Sequence, residues 1–499
     1  MACGIGVQAV WFKRDLRTLD HAPLFNAAQR GPVLCFYVLE PALWQQPDSA
    51  RQHFHFVLES LRDLYKALRA HGVRLHILVG DVTRVLQDLH AETGFTALHS
   101  HQETGNDWTY GRDKAVAKWC QACGVQWHET PQFGVVRGLR DRNQWQRAWQ
   151  SHMAQPLVPE LDTLAVTSVA LNQSQAPLPT ADDLGLPALE PPVRQRGGQT
   201  AGRAVLVDFL SRRSKRYRGG ISSPLRAPEA CSRLSTYITW GCVSLREVVQ
   251  TTHAAMAHTD IDATHRKGLK AFTSRLAWHC HFIQKLESEP AIEWRNMHRG
   301  YDELREHEFD QRLFEALKEA RTGWPLVDAC VRMLNETGWL NFRMRAMLVS
   351  VAAYPLWLHW RPVGLWLAQQ FLDYEPGIHW SQLQMQSGTT GINTTRVYNP
   401  IKQAQDQDPD GFFVRQWLPA MRRVPDTWLF EPWLMPPSVQ AACGVIVGQD
   451  IPYPVVDLEV ATRVAKDRLY ARRRDPAVRA GKAAVIEKHA SRRQTSWLD

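Results

Sequence analysis

The sequence predicts a Rossmann-like α/β N-terminal domain with a parallel sheet, followed by an all-α C-terminal domain. Apolar, β-rich runs alternate with helical segments through residues 1–155, and a Pro- and Gln-rich stretch breaks that pattern at 156–200. Across 201–499 apolar residues recur at helical spacing. At 499 residues the chain exceeds what one hydrophobic core usually holds, so at least two domains are expected.

In the first part, "GVQAVWF", "VLCFYVL", "VRLHILVGD" and "ALHSHQE" read as strands, with helices such as "FHFVLESLRDLYKALRAHG" between them. The third run ends in Gly80 and Asp81, a strand end of the kind that meets a ligand crevice. No GxGxxG or GxxxxGK[ST] follows any run, so no phosphate loop is marked there. The segment 156–200 lacks periodic apolar pattern and reads as a long surface connection between domains. Beyond it, "AVLVDFLSRRSKRY", "RKGLKAFTSRLAWHCHFIQKLESE" and "EFDQRLFEALKEA" read as helices.

Composition narrows the function classes. With 44% apolar residues and 20 tryptophans the chain can bury a large core and has no reason to be disordered. The opening "MACGIGVQAVWFKRDLR" meets charge before a signal-type apolar region develops, and no stretch approaches the roughly 18 to 20 apolar residues of a membrane span. A cytoplasmic protein without a membrane partner, acting as a monomer, is expected. Nine cysteines are scattered, and the lone CxxC, Cys120 to Cys123, lacks a second ligand pair, so buried or inert thiols and no metal are expected. A net charge of +9 fits a polyanionic partner. Basic residues gather in "SRRSKRYRGG" (211–220) and in "RLYARRRDPAVRAGKAAVIEKHASRRQ", the second reading as a basic terminal helix and tail with a solvated face.

Between these clusters lies "GIHWSQLQMQSGTTGINTTRVYNP" (377–400), which has no Asp, Glu, Lys or Arg from Gly377 to Thr395 and alternates Gln382, Gln384 and Gln386. Neutral hydrogen-bonders suit a bound group that changes charge, since amides offer donors or acceptors without a fixed counter-charge.

Five segments, in order, resemble the photolyase/cryptochrome flavoprotein family: "VWFKRDLRTLDHAPL" (10–24), "CSRLSTYITWGCVSLREV" (231–248), "SRLAWHCHFI" (274–283), "TGWPLVDACVRMLNETGWLNFRMRAMLVS" (322–350) and "NPIKQAQDQDPDGFFVRQWLP" (399–419). The resemblance spans nearly the whole chain. It implies an antenna-type N-terminal domain, a helical FAD-binding domain, and an antenna pigment of folate or deazaflavin type as a possible second chromophore. Cys231, Ser232, Arg233, Leu234 and Ser235 match the family's phosphate-cradling segment, with Cys231 in place of the usual Thr, and Tyr217 matches an aromatic that contacts the phosphates. The residues themselves are equally an N-cap for the helix that follows. The resemblance also implies that Arg345 pairs with Asp373 to hold the flavin, with Glu375 in the same acidic pair and His379 facing flavin N5, where it would stabilise a flavin anion or donate a proton.

On the substrate side the resemblance implies UV-damaged DNA as partner. Trp278 matches a tryptophan that packs on a thymine dimer. Arg343 and Arg396, with the basic segment at 211–220, are expected to meet phosphates. Departures are equally specific. Met385 stands where a second packing tryptophan is usual, and Arg275 where a dimer-bonding glutamate is usual. Of the three tryptophans that carry electrons to FAD in many photolyases only the middle one, Trp360, is present; the flavin-proximal position is Leu383 and the surface one falls near His307. Trp366 and Trp380 are candidates for another route. The function implied is light-driven splitting of pyrimidine dimers, a deoxyribodipyrimidine photo-lyase, with a cryptochrome-type blue-light receptor as the alternative. The short tail after about residue 475 is unlike the long extension of many plant receptors.

Overall fold

The computed structural model describes residues 6–172, 177–393 and 396–489. Five parallel strands form one sheet: β1 (Gln8–Phe12), β2 (Val33–Leu39), β3 (Leu75–Val79), β4 (Ala97–His101) and β5 (Gln126–Thr130). Their spatial order is β3-β2-β1-β4-β5, every neighbouring pair parallel. β1, β2 and β4 are buried at every position, as a sheet covered on both faces requires. The fifth strand, "QWHET", has no apolar run and is half-buried to exposed, so it was not among the expected strands; edge position relaxes the need for burial. Among the described residues no helix is long and apolar enough to cross a membrane.

Residues 156–200 differ from the expected surface connection. Leu161, Ala181, Leu184 and Leu186 are buried in the same apolar core as the strands, and Ser168 bridges to Val33 at the start of β2. The core they join also contains Phe209, Leu234, Tyr237, Phe272 and Leu372 from the helical part, so sheet and helices share one interior. Polar ties cross the same boundary. Arg14 donates to the Glu375 carboxylate at 2.8 Å and to the Thr239 carbonyl at 3.1 Å. Arg17 donates to the Gly241 carbonyl at 3.1 Å, and Arg246 reaches Asp20 at 2.6 Å. Gly241 has φ +64° and packs so closely that a Cβ there would lie 2.1 Å from the Arg14 carbonyl oxygen, so only glycine fits this seat.

Beneath β1, Asp15 accepts from His21 Nε2 at 3.0 Å and His101 Nδ1 at 2.7 Å, with its other oxygen taken by the Lys13 N–H. The His21 Nδ1 accepts from the Leu24 N–H at 3.1 Å, which fixes the ring proton on Nε2, the atom facing Asp15. This trio is therefore a satisfied hydrogen-bond network, not a set of free metal ligands.

Burial keeps several imidazoles neutral. His53, His99, His152 and His379 are pushed down to about 4, and His101 and His279 to about 3, in each case first by loss of hydration. Unfolded histidine takes a proton below about 6.5, so the unfolded state binds more protons between that value and about 4, and stability is lost as pH drops through this window. Glu40 and Glu293, raised to about 7 by burial, Asp328, raised to about 6, and the likewise raised Glu247, Glu287 and Glu375 work in the opposite direction and offset part of this. The thermal midpoint should be nearly flat from pH 7 to 8.5 and drop steeply below 6.5, each histidine adding up to about 1.4 kcal/mol per pH unit. A midpoint unchanged down to pH 5 would contradict the buried neutral rings.

Candidate functional site

In the basic segment 211–220, Arg218 is exposed and the other cations have acidic neighbours. Arg212 and Arg213 pair with Asp208, Lys215 with Asp262 at 3.7 Å, and Arg216 with Glu229 at 3.1 Å. Arg213 turns inward, donating to the Cys231 carbonyl and, at 3.1 Å, to that of Ser232. Arg233 adopts φ +60° and lays its guanidinium 3.9 Å from the Trp339 ring centre. It has no ion-pair carboxylate among the described residues; burial lowers it to about 10 although Asp373 pulls the other way. The helix that starts at Ser235 runs only to Thr239, so its dipole is small and guanidinium groups supply most of the positive charge here. Leu234 sends its side chain into the core, leaving only its backbone to the site. Tyr217 packs edge-on against Phe209 and Phe272, and its hydroxyl meets Arg275.

Arg345 lies on the helix Phe342–Ala353, and Asp373 follows the helix Trp360–Gln370. The structure brings them together: Nη2 reaches the Asp373 carboxylate at 2.9 Å while Nε donates to the Leu340 carbonyl at 2.6 Å. Burial alone would raise the Asp373 carboxyl, but Arg345 outweighs it and holds the group below its ordinary range, aided by the Ser235 hydroxyl. Glu375 shows the reverse balance, burial raising it despite Arg14.

Several buried polar atoms in these segments have no partner among the described residues: Asp373 Oδ1, Glu375 Oε1, Asn341 Oδ1, Thr236 Oγ1 and both amide atoms of Gln382. Buried polar atoms need partners, and so many in segments meeting at one ion pair fit a bound group rich in donors and acceptors. A flavin ring with its ribose and phosphates is such a group, and the guanidinium groups of Arg233 and Arg345 suit its anionic part. Gln384, by contrast, accepts from the Met297 N–H and donates to the Ile292 and Arg295 carbonyls at 2.8 Å. The helix Pro376–Ser387 turns about 100° per residue, so Gln384 faces away from Gln382 and ties the helix down. Asn341 was not among the expected site residues; its polar character inside an apolar run was the available signal.

His379 sits on that helix between the rings of Tyr374 and Trp380, at 5.1 and 4.9 Å. Its Nε2 lies 2.8 Å from the Gly364 carbonyl, which can only accept, so the proton is on Nε2 and Nδ1 is an acceptor. With its acidity about 4, the ring is neutral near pH 7. Burial and the Gly364 carbonyl thus favour a neutral ring whose Nε2 proton is engaged and whose Nδ1 can accept.

Trp278 is half-buried on the helix Ala263–Ser288, 6.0 Å from Phe282, with the exposed Arg275 guanidinium 4.6 Å from its ring centre. Met385 is half-buried and Arg396 exposed. Arg343 is half-buried, in a long 3.4 Å contact with Gln403, and its Nε has no partner.

Trp360 and Trp380, both fully buried, meet edge to face at 5.8 Å. Trp360 Nε1 donates to Asn296 at 2.8 Å. Leu383 is buried beside Trp380, the two closing around Gly364 so tightly that a Cβ there would fall within 2.6 Å of both. Trp366 contacts Phe314 instead, at 6.2 Å, and His307 is exposed.

A second crevice opens at the carboxyl ends of β1, β2 and β4, where the connection order reverses and α/β sheets receive ligands. Arg112 dominates it, pairing with Glu40 at 3.0 Å, with Asp113 at 2.8 Å and with Glu103, while lying 4.8 Å from the Trp11 ring.

Comparison with known proteins agrees with both parts of the chain. Residues 8–137 match the family described as DNA photolyase, and residues 272–471 match the FAD binding domain of DNA photolyase. The chain is 28% identical over 500 residues to a cryptochrome DASH of Gloeobacter violaceus, covering 90% of this chain and 93% of that protein. It is 26% identical over 455 residues to a deoxyribodipyrimidine photo-lyase of Vibrio cholerae, covering 86% and 94%. The solved class III photolyase of Agrobacterium tumefaciens shares the fold, with a TM-score of 0.82 at 22% identity over 95% of this chain and 99% of that one.

Proposed function

Because the chain belongs to the photolyase/cryptochrome flavoprotein family, we propose that it is a light-dependent DNA repair enzyme acting on UV-induced pyrimidine dimers. The observation that carries this reading is the Arg345–Asp373 pair, with buried polar atoms in neighbouring segments that have no partner among the described residues, in the same domain as the half-exposed Trp278.

FAD, when bound and reduced, supplies the light-driven electron that splits a dimer and then returns. Arg233 and Arg345 hold its anionic part, with Ser232 and Ser235 alongside. Asp373 Oδ1 and the Gln382 amide orient the ring by hydrogen bonds. His379 keeps a neutral acceptor beside it and adds no charge that would favour one oxidation state. Buried Trp380 and Leu383 exclude water from that side. Trp278 offers an apolar face to a flipped base, and Arg343 and Arg396 offer donors to phosphates.

A photoreceptor reading has one observation in its favour. Arg275 already covers Trp278, and Met385 gives no second stacking face, so recognition of a dimer is weaker than the resemblance implies. Illumination of the reduced, FAD-loaded protein with DNA containing cyclobutane dimers, followed by product analysis, separates the two. Repair predicts light-dependent loss of dimers and recovery of intact pyrimidines. Flavin that responds to light while dimers persist would reject repair in favour of sensing.

A further inference from the structure

Away from the flavin segments, three basic side chains meet where the turn Arg142–Gln144 and the helix Ala263–Ser288 come together. Arg142 donates through Nη2 to His281 Nδ1 at 2.7 Å and to the His281 carbonyl at 3.1 Å. The guanidinium lies 4.8 Å from the Trp145 ring centre, and its Nη1 is buried without a partner. Since His281 Nδ1 accepts, the ring proton is on Nε2, a donor pointing away from Arg142. One helical turn on, Lys285 lies on the same face and is 7% exposed. Its ammonium lies 5.2 Å from the Phe282 ring centre, and it has no ion pair and no hydrogen-bond acceptor among the described residues.

Buried charges are ordinarily paired, because an unpaired one loses hydration without compensation. Here two cations and an imidazole N–H are gathered, among the described residues no carboxylate pairs with them, and Arg142 Nη1 is buried without a partner there. Of the acids that follow Lys285, Glu287 lies 3.8 Å from Arg137 and Glu289 is engaged by His489, Lys488 and Arg299. We propose that Arg142, His281 and Lys285 form a binding site for a phosphate-type oxyanion, with Arg142 Nη1, His281 Nε2 and Lys285 Nζ as its donors. The mutual repulsion is visible in the groups themselves: burial and then Arg142 lower Lys285 to about 8, and burial followed by Lys285 and Arg142 lowers His281. A bound anion relieves both. The oxyanion is either free phosphate or a phosphate of bound nucleic acid, since the same helix carries Trp278 about two turns earlier.

The test uses FAD-loaded protein, so that the flavin's own phosphate site is filled. Thermal midpoints are measured in potassium phosphate and in potassium chloride of equal ionic strength at pH 7.5. Wild type should melt a few degrees higher in phosphate, with saturable dependence on concentration. Lys285→Met removes the unpaired cation, so it should melt above wild type in chloride and show no phosphate response; Arg142→Gln should lose most of the response. A short DNA duplex added in chloride distinguishes the source: stabilisation that Lys285→Met abolishes assigns the anion to nucleic acid, and a response to phosphate alone assigns it to the free ion. A wild type indifferent to both, or a Lys285→Met protein that keeps the full response, overturns the site.

Discussion

Arg345→Met should yield protein that purifies without FAD and melts well below wild type. Asp373 is 4% exposed at its side chain, and Arg345 is its ion-pair partner among the described residues. Removing that partner leaves a buried carboxylate uncompensated, at a cost of about 3 to 5 kcal/mol, a large share of the roughly 5 to 15 kcal/mol that holds a protein folded. The carboxylate escapes part of that cost by taking a proton, and a neutral acid beside the flavin no longer orders it. Adding Asp373→Asn to Arg345→Met should therefore recover much of the melting temperature but none of the flavin, because the two residues couple through one contact. Flavin released on denaturation, measured per chain, is the readout. An Arg345→Met protein with stoichiometric FAD and an unchanged midpoint would refute the pocket.

Trp380→Phe and Trp360→Phe should each slow light-driven flavin reduction by an order of magnitude or more, whereas Trp366→Phe should change it little. The position that usually supplies the flavin-side tryptophan is Leu383, but Trp380 on the same helix is fully buried, 4.9 Å from His379 and 5.8 Å from Trp360. Electrostatics gives this pair a direction. The Arg361 guanidinium lies 5.5 Å from the Trp380 ring centre and disfavours positive charge there, pushing an electron hole outward to Trp360. Trp357 is a poor next step, since Arg305 and Arg468 lie 4.4 and 5.1 Å from its ring. Trp360 is therefore where the hole is expected to rest, with the His359 ring at 5.3 Å and the Glu306 carboxylate, 3.5 Å from His359, favouring positive charge nearby. Transient absorption at equal flavin occupancy decides the matter: rapid reduction in Trp380→Phe would show that electrons bypass this ring.

What was legible in the sequence was whatever a periodic pattern or a spaced motif enforces. β1, β2 and β4, inside the sheet, are buried at every position and were legible as strands, as was edge strand β3 with its apolar run; β5, at the other edge, carried no apolar run and left no mark. A charge placed among apolar residues at Arg345 asked for a partner, but that the partner is Asp373 came from the family resemblance and not from the residues themselves. Less was legible where a long side chain chooses its own direction. The run at 211–220 reads as a phosphate rim, and nothing in it announces that an acid as distant in sequence as Asp262 neighbours Lys215. Three alternating glutamines look alike, and only the helical turn separates Gln384, a structural tie, from Gln382. The proton of His379 is set by a carbonyl fifteen residues earlier, which no local motif announces.

The seat of Gly241 against Arg14 has a consequence for how this gene can be cut and rearranged. The two parts share one interior and are fastened by Arg14, Arg17 and Arg246 independently of the peptide that joins them. Covalent continuity through 156–200 adds proximity, but recognition between the halves is already written into their touching faces. The protein would survive being made as two polypeptides that find each other, and the glycine would be the site at which a foreign half is refused.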